Sequence, residues 1–318
     1  MTPTPGLRGA FTALVTPFTP DGALDEAAIV RLVERQLDAG IDGLVPCGTT
    51  GESPTTTAEE DARIIELTIE TVRRRGLAGR VPVVAGTGSN DTRSAISYTQ
   101  RAASLGADAA LVVAPYYNKP DQRMLEAHYR AVADEGGLPV VVYNVPGRTA
   151  SNVAPDTLMR LAEHERIVAV KEASANLEQI MTIVRDRPEG FTVLSGDDSW
   201  TLVLLGLGGD GVISVASNEV PATMVELCRA AFEGDWTTAR RIHERHLELF
   251  RVNFVSPNPV PVKAALAELG LIHDVLRQPL LPLADEPRAR VLAVLGDLDL
   301  LPVAATTTAT AATVVAAA

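Results

Sequence analysis

Residues 139–172 read PVVVYNVPGRTASNVAPDTLMRLAEHERIVAVKE, and this stretch decides the fold. Two short runs, 139–144 and 167–171, are rich in valine and isoleucine, which is typical of strands buried on both faces. Between them, residues 155–163 have the apolar spacing of an amphipathic helix. A strand, a helix and a second strand predict one βαβ unit of a parallel sheet.

The same pattern recurs along the first two thirds of the chain. Further strand candidates are residues 10–16, 43–47, 81–86, 109–114, 191–195 and 211–215. Helical spacing is found between strands at residues 25–39, 58–75, 92–105 and 123–133. Eight such units predict an α/β fold, a (β/α)8 TIM barrel over residues 1–220, whereas a doubly wound open sheet is the main alternative.

The pattern changes after the eighth unit. Residues 222–233, 236–250, 261–269 and 288–295 predict consecutive helices without intervening strands, with Asp235 and Pro261 marking two helix starts. We therefore expect a helical C-terminal region, residues 221–300, packed on the barrel. Residues 301–318 consist largely of Ala, Thr and Val, and this low complexity predicts a poorly ordered tail.

Composition limits the partners and the compartment. The 318 residues carry a formal net charge of −12, which disfavours binding to a nucleic-acid backbone. Cys47 and Cys228 are the only cysteines and have no CxxC spacing, which suits a reducing compartment. The N-terminus has no apolar signal segment, and no apolar run is long enough to span a bilayer. These features predict a cytoplasmic protein without nucleic-acid or membrane partners.

Two patterns look like ligand sites but have simpler explanations. Residues 206–211, GLGGDG, match G-x-G-x-x-G, yet a helix precedes them and a strand follows. A dinucleotide motif needs the opposite order, so we predict a helix-to-strand turn. His243 and His246 share a helix face without neighbouring ligand residues, which favours a solvated face over a metal site.

Lys171 ends the strand candidate 167–171, where a lysine is unusual. One interpretation is a side chain that extends its amine to solvent at the strand end. The other is a nucleophile, because desolvation lowers the pKa of an amine and makes the neutral form more available.

Polar groups at other strand ends favour the second interpretation, because a barrel gathers these ends on one face. Thr49 and Thr50 lie between glycines in residues 48–53, where hydroxyls and amides can hold a carboxylate. Tyr143 could transfer protons, and Arg148 could bind a substrate carboxylate. Alone, each has an ordinary alternative: a glycine-rich turn, a buried tyrosine with a satisfied hydroxyl, a surface charge. Together they form a set suited to Schiff-base chemistry.

These motifs resemble those of the dihydrodipicolinate synthase family, within the pyruvate-dependent superfamily that uses a lysine Schiff base. The resemblance covers about residues 7–295 and rests on Val15-Thr16-Pro17-Phe18, Gly48-Thr49-Thr50-Gly51-Glu52-Ser53, Tyr143-Asn144-Val145-Pro146-Gly147-Arg148-Thr149, Val168-Ala169-Val170-Lys171-Glu172, Leu194-Ser195-Gly196-Asp197-Asp198 and Pro257-Asn258-Pro259-Val260-Pro261-Val262-Lys263. It implies condensation of pyruvate with L-aspartate 4-semialdehyde to 4-hydroxy-tetrahydrodipicolinate, in diaminopimelate and lysine biosynthesis.

The resemblance also implies roles for individual residues. Lys171 would form the imine with pyruvate, and Tyr143 would move protons. Thr49 and Tyr117 would complete a proton relay, with Tyr117 reaching in from a neighbouring subunit of a homotetramer. The remaining implied contacts are Thr50 and the Ile213 backbone for pyruvate, and Arg148 for the semialdehyde carboxylate. No metal or organic cofactor is implied.

Alternatives and one departure remain. The same superfamily contains N-acetylneuraminate lyase and 2-keto-3-deoxy sugar-acid aldolases, and a non-catalytic binding protein on this fold is a further hypothesis. Ala58, Asp61 and Ser94 occupy the positions at which lysine-inhibited relatives carry histidines and a glutamate, although Asn90 and Tyr116 remain. We therefore predict weak or absent feedback inhibition by lysine.

Overall fold

The computed structural model describes residues 6–301, so the predicted tail, residues 301–318, lies outside the described residues except for Leu301. The strands are β1 Gly9–Ala13, β2 Gly43–Val45, β3 Val84–Gly86, β4 Ala109–Val113, β5 Val140–Asn144, β6 Ile167–Glu172, β7 Thr192–Ser195 and β8 Gly211–Ser214. The helices are α1 Glu26–Asp38, α2 Ala58–Arg74, α3 Thr92–Leu105, α4 Gln122–Glu135, α5 Pro146–Thr149, α6 Pro155–Ala162, α7 Leu177–Asp186, α8 Thr201–Gly206, α9 Pro221–Phe232, α10 Trp236–Val252, α11 Val260–Glu268 and α12 Asp285–Asp297.

All paired strands are parallel, in the order β2-β1-β8-β7-β6-β5-β4-β3. A parallel bridge between Leu44 and Val83 joins the two ends of this order and closes the barrel. The predicted (β/α)8 TIM barrel is confirmed, and the open doubly wound sheet is excluded.

Several strands are shorter than predicted, because the chain turns away from the sheet before the apolar run ends. The chain leaves β1 before Val15, whose amide donates to the side chain of Asn218 instead of to a neighbouring strand. It leaves β2 before Cys47, whose φ of 57° is left-handed. Apolar composition alone cannot distinguish these loop residues from strand residues, because they are equally buried.

Alternation along each strand separates two layers of core. In β5, Val141 and Tyr143 point into the barrel, whereas Val140 and Val142 pack beneath the surrounding helices. In the register of the sheet, Tyr143 lies opposite Lys171 of β6. The inward-pointing side chains nearest the carboxyl ends of the strands, such as Tyr143, therefore lie at the open end of the barrel.

Several helices begin at side chains that cap them. Thr57 and Glu60 form a capping box at α2, and the predicted cap Asp235 accepts from the Thr238 amide at α10. α8 ends at Gly206 and β8 begins at Gly211, which confirms the predicted helix-to-strand turn. Between residues 6 and 301, no helix is both long and apolar enough to cross a bilayer.

Candidate active site

A cleft of roughly 420 Å³, part of it open to solvent, lies at the carboxyl ends of the strands. Four predicted site residues line it: Lys171, Tyr143, Thr49 and Thr50. The other lining residues are Ala13, Val45, Cys47, Gly48, Ser53, Gly86, Gly88, Leu111 and Val113. The cleft therefore combines one amine, one phenol and several hydroxyls with an apolar wall.

The amine of Lys171 lies deep in this cleft. The residue is 5% exposed, and its Nζ is 4.2 Å from the centroid of the Tyr143 ring. Burial lowers the pKa of Lys171 to about 8, and the nearby Arg148 guanidinium acts in the same direction. The carboxylates of Asp198 and Asp197 oppose this decrease only in part. A much larger share of this amine is neutral near neutral pH than for an exposed lysine. A side chain extended to solvent is thereby excluded.

Tyr143 is buried as well, and burial raises its pKa to about 12. The phenol therefore keeps its proton at neutral pH and can act as a proton donor. The positive charge of Arg148 works against this rise, which places Arg148 near enough to influence both reactive groups.

Glycines make room for the lysine and the cleft. A Cβ at Gly196 would lie 3.1 Å from Cε and Cγ of Lys171 and 2.7 Å from Cβ of Ala173. A Cβ at Gly86 would lie 2.2 Å from the Cys47 carbonyl oxygen. Neither position tolerates a larger residue without movement of its surroundings.

The turn at residues 48–53, hereafter the threonine loop, carries Thr49 and Thr50. The amides of Gly51 and Glu52 donate to the carbonyls of Gly48 and Thr49 at 3.0 and 3.1 Å. The start of α2 is satisfied by its own capping box, formed by Thr57 and Glu60. The groups that remain available to a ligand carboxylate are the backbone amides and the hydroxyls of Thr49 and Thr50.

The end of β6 is held by a polar network. Glu172 is 2% exposed, and its carboxylate accepts from the Ser174 amide at 2.7 Å and the Asn144 side chain at 3.1 Å. Asn144 also donates to Asn152 at 2.9 Å and accepts from the Val153 amide at 2.9 Å. These bonds fix the ends of β5 and β6, and with them the pair Tyr143 and Lys171.

Three predicted site residues do not line the cleft in the described chain. Arg148 is exposed on α5, one turn beyond Tyr143. Ile213 is buried in the barrel interior, opposite Phe11 in the sheet register. Tyr117 is 87% exposed and has a left-handed φ of 74°.

The sequence analysis did not single out some residues that line the cleft or influence Lys171. The end of β3 supplies Gly86 and Gly88 to the cleft, and the glycine-rich run 86–89 was the available signal. Asp198 is buried, and its Oδ2 accepts from the amides of Val215 and Ala216 at 3.0 and 2.9 Å. No local pattern distinguishes this aspartate from its partly exposed neighbour Asp197.

A second cleft lies beside the threonine loop. It is lined by Ala58, Asp61 and Tyr116, together with Ser53, Pro54, Thr56, Gly86, Thr87, Gly88, Ser89 and Tyr98. Asp61 accepts from the Thr56 hydroxyl at 2.6 Å, and burial raises the pKa of its carboxyl. A cationic ligand in this cleft would meet one carboxylate that is already hydrogen-bonded.

Comparison with known proteins agrees with this geometry. Residues 6–297 match the dihydrodipicolinate synthetase family. The 4-hydroxy-tetrahydrodipicolinate synthase of Chloroherpeton thalassium is 48% identical over 94% of this chain and 98% of its own. The crystal structure of dihydrodipicolinate synthase from Aquifex aeolicus superposes with a TM-score of 0.88, at 45% identity over 92% of this chain and 99% of that one. A dihydrodipicolinate synthase variant characterised as monomeric gives 0.89, at 42% identity over 92% and 97%. The chain therefore belongs to the dihydrodipicolinate synthetase family.

Proposed function

We propose that this protein is a 4-hydroxy-tetrahydrodipicolinate synthase of diaminopimelate and lysine biosynthesis. It condenses pyruvate with L-aspartate 4-semialdehyde through a Schiff base on Lys171. The observation that carries the proposal is the buried Lys171 amine, with its pKa lowered to about 8, in a cleft that also holds Tyr143, Thr49 and Thr50.

The chemistry follows from a neutral amine beside protonated hydroxyls. The Nζ of Lys171 attacks the C2 carbonyl carbon of pyruvate, and loss of one water gives the imine. Removal of a C3 proton gives an enamine, whose C3 adds to the aldehyde carbon while the aldehyde oxygen takes up a proton. The amine of the semialdehyde then attacks C2 and displaces Lys171, which closes the ring. One water is released in total.

The neighbouring residues divide the remaining tasks. Tyr143 moves protons during imine formation, with Thr49 as the next hydroxyl of the relay. Thr50 and the Ile213 backbone hold the pyruvate carboxylate. Arg148, exposed at the mouth of the barrel, binds the carboxylate of the semialdehyde. No metal or organic cofactor takes part in this scheme.

A neighbouring subunit completes the relay. Tyr117 is highly exposed on a constrained backbone, an arrangement that suits insertion into a partner. We expect a homotetramer in which Tyr117 enters the adjacent cleft, so that Tyr117→Phe lowers the rate without changing the mass of the assembly. Both cysteines are buried free thiols, consistent with our expectation of a cytoplasmic enzyme.

Trapping with borohydride tests the proposal sharply because the chain has only three lysines, Lys119, Lys171 and Lys263. Incubation with pyruvate and borohydride should add one reduced pyruvate to the peptide that contains Lys171, and none to the other two. Lys171→Arg should abolish the adduct. An adduct on Lys119 or Lys263 alone, or no adduct, contradicts the proposal.

The second candidate is a sugar-acid aldolase, since it would share the pyruvate imine. Arg148 separates the two activities, because its charge suits a short carboxylate-bearing aldehyde. Arg148→Ala should retain the adduct on Lys171 and lose condensation with aspartate semialdehyde. If condensation with aspartate semialdehyde is unchanged in that variant, the proposed role of Arg148 at the second substrate is wrong.

A further inference from the structure

An ion pair and several hydrogen bonds connect the threonine loop to the C-terminal helical region. Glu52, its second-last residue, has a left-handed φ of 56° and turns its side chain away from the cleft. Its carboxylate forms an ion pair with the Nζ of Lys263 on α11, and both side chains are 0% exposed. Lys263 also donates to the Thr16 carbonyl at 2.9 Å and lies 4.4 Å from the Phe18 ring centroid.

Two further bonds join the same parts of the molecule. The Asn258 side chain, just before α11, donates to the Thr50 hydroxyl oxygen at 3.0 Å. Since this oxygen accepts from Asn258, the hydroxyl hydrogen of Thr50 is free to donate into the cleft. The amide of Arg277 donates to the second carboxylate oxygen of Glu52 at 3.1 Å.

Stability alone does not account for a fully buried ion pair. Desolvation of the two charges offsets much of their attraction, so neutral residues of similar size are often equally stable. Removal of one partner is costly, because the other charge stays buried and unpaired. What the pair does supply is a fixed geometry: it holds Glu52, a non-glycine residue two positions after Thr50, in a left-handed conformation.

We propose that the Glu52–Lys263 pair positions the threonine loop for pyruvate, which makes Lys263 a positioning residue outside the cleft. The inference rests on the proposed function only for its first substrate. Pyruvate is small, so a displacement of Thr49 and Thr50 weakens its binding directly. The semialdehyde carboxylate is held by Arg148 on α5, which the pair does not touch.

The test compares Lys263→Met, Glu52→Gln and the double variant, in which no unpaired charge remains. For each protein the thermal midpoint and the pyruvate concentration that half-saturates borohydride trapping on Lys171 are measured, with KM for each substrate. Both single variants should melt at lower temperature than wild type. The double variant should regain most of the lost thermal stability and still need about tenfold more pyruvate, because small misplacements have large effects on reactive complexes. Its KM for the semialdehyde should change less than about twofold.

Arg288→Met is the matched control. Arg288 pairs with Glu268 and Asp274 in the same helical region and makes no contact with the threonine loop. This variant should unfold at a lower temperature than wild type. Trapping on Lys171 should still half-saturate at the wild-type pyruvate concentration. If it shifts that concentration as much as the double variant does, general loosening explains the effect and the inference is wrong.

The remaining outcomes are also decisive. If the double variant half-saturates at the wild-type pyruvate concentration, or if it does not fold, the pair has a purely structural role and the inference is wrong. A wild-type protein that forms no adduct refutes the proposed function itself. A wild type that traps pyruvate, together with an unaffected double variant, refutes only the positioning role.

Discussion

Replacement of Lys171 by methionine should inactivate the enzyme and stabilise its fold. Methionine has a similar volume and needs no hydration, so packing in the cleft is retained. The amine that it replaces is buried, and burial lowers its pKa from 10.5 to about 8. The wild-type fold therefore contains a group that would be better solvated in the unfolded chain.

The pKa gives the magnitude. A pKa lower by about 2.5, at ~1.4 kcal/mol for each pH unit, destabilises the folded state by between about 3 and 4 kcal/mol below pH 8. Between pH 8 and 10.5 the unfolded chain binds more protons than the folded one at this site, so wild-type stability rises with pH. The advantage of Lys171→Met should therefore be larger at pH 7 than above pH 10.5 by about 3 kcal/mol.

Denaturant unfolding at pH 7, 8, 9 and 10.5 measures this difference directly. Lys119→Met, at an exposed lysine, is the control and should stay within about 0.5 kcal/mol of wild type at each pH. If Lys171→Met is no more stable than wild type at pH 7, or if its advantage does not shrink with pH, the amine is not desolvated as described.

Three further outcomes are expected. The initial rate of trapping at low pyruvate concentration should rise about fivefold from pH 7 to 8 and level off above pH 9, because it follows the neutral fraction of the Lys171 amine. A flat profile would contradict a pKa near 8 for Lys171. Gly196→Ala should slow trapping at least about tenfold, because its Cβ would displace the lysine chain, whereas Gly206→Ala, with nothing within 4 Å, should trap normally. L-Lysine should inhibit weakly or not at all, since Asp61 already accepts from Thr56; strong inhibition at low lysine concentrations in a titration would show that the second cleft binds lysine tightly.

The barrel was predictable because both its signals are local. Runs of valine between helical segments indicate buried parallel strands, and eight repeats leave few alternatives. Strand ends were less predictable, as at Val15, because its amide partner Asn218 is distant in sequence. Helix α7 escaped the sequence analysis, although its Asn176 cap was visible.

The reactive residues that line the cleft could be predicted from the sequence, whereas the residues that position them could not. Lys171 and Tyr143 follow strand candidates, so the barrel places them together. Lys263 carries no such signal, because its partner Glu52 lies 211 positions away. A buried lysine on a helix and an exposed one look alike in sequence until the packing of α11 is known.

The bonds from Asn258 and Lys263 to the threonine loop also set an order of events during synthesis. All eight strands lie N-terminal to α11, so the residues of β1 to β8 are synthesised before those of α11. The nascent barrel can thus enclose Lys171 before Thr50 and Glu52 have met their partners, which arrive 208 and 211 positions later. We therefore expect full pyruvate binding to be acquired last, when the C-terminal helices dock on the barrel.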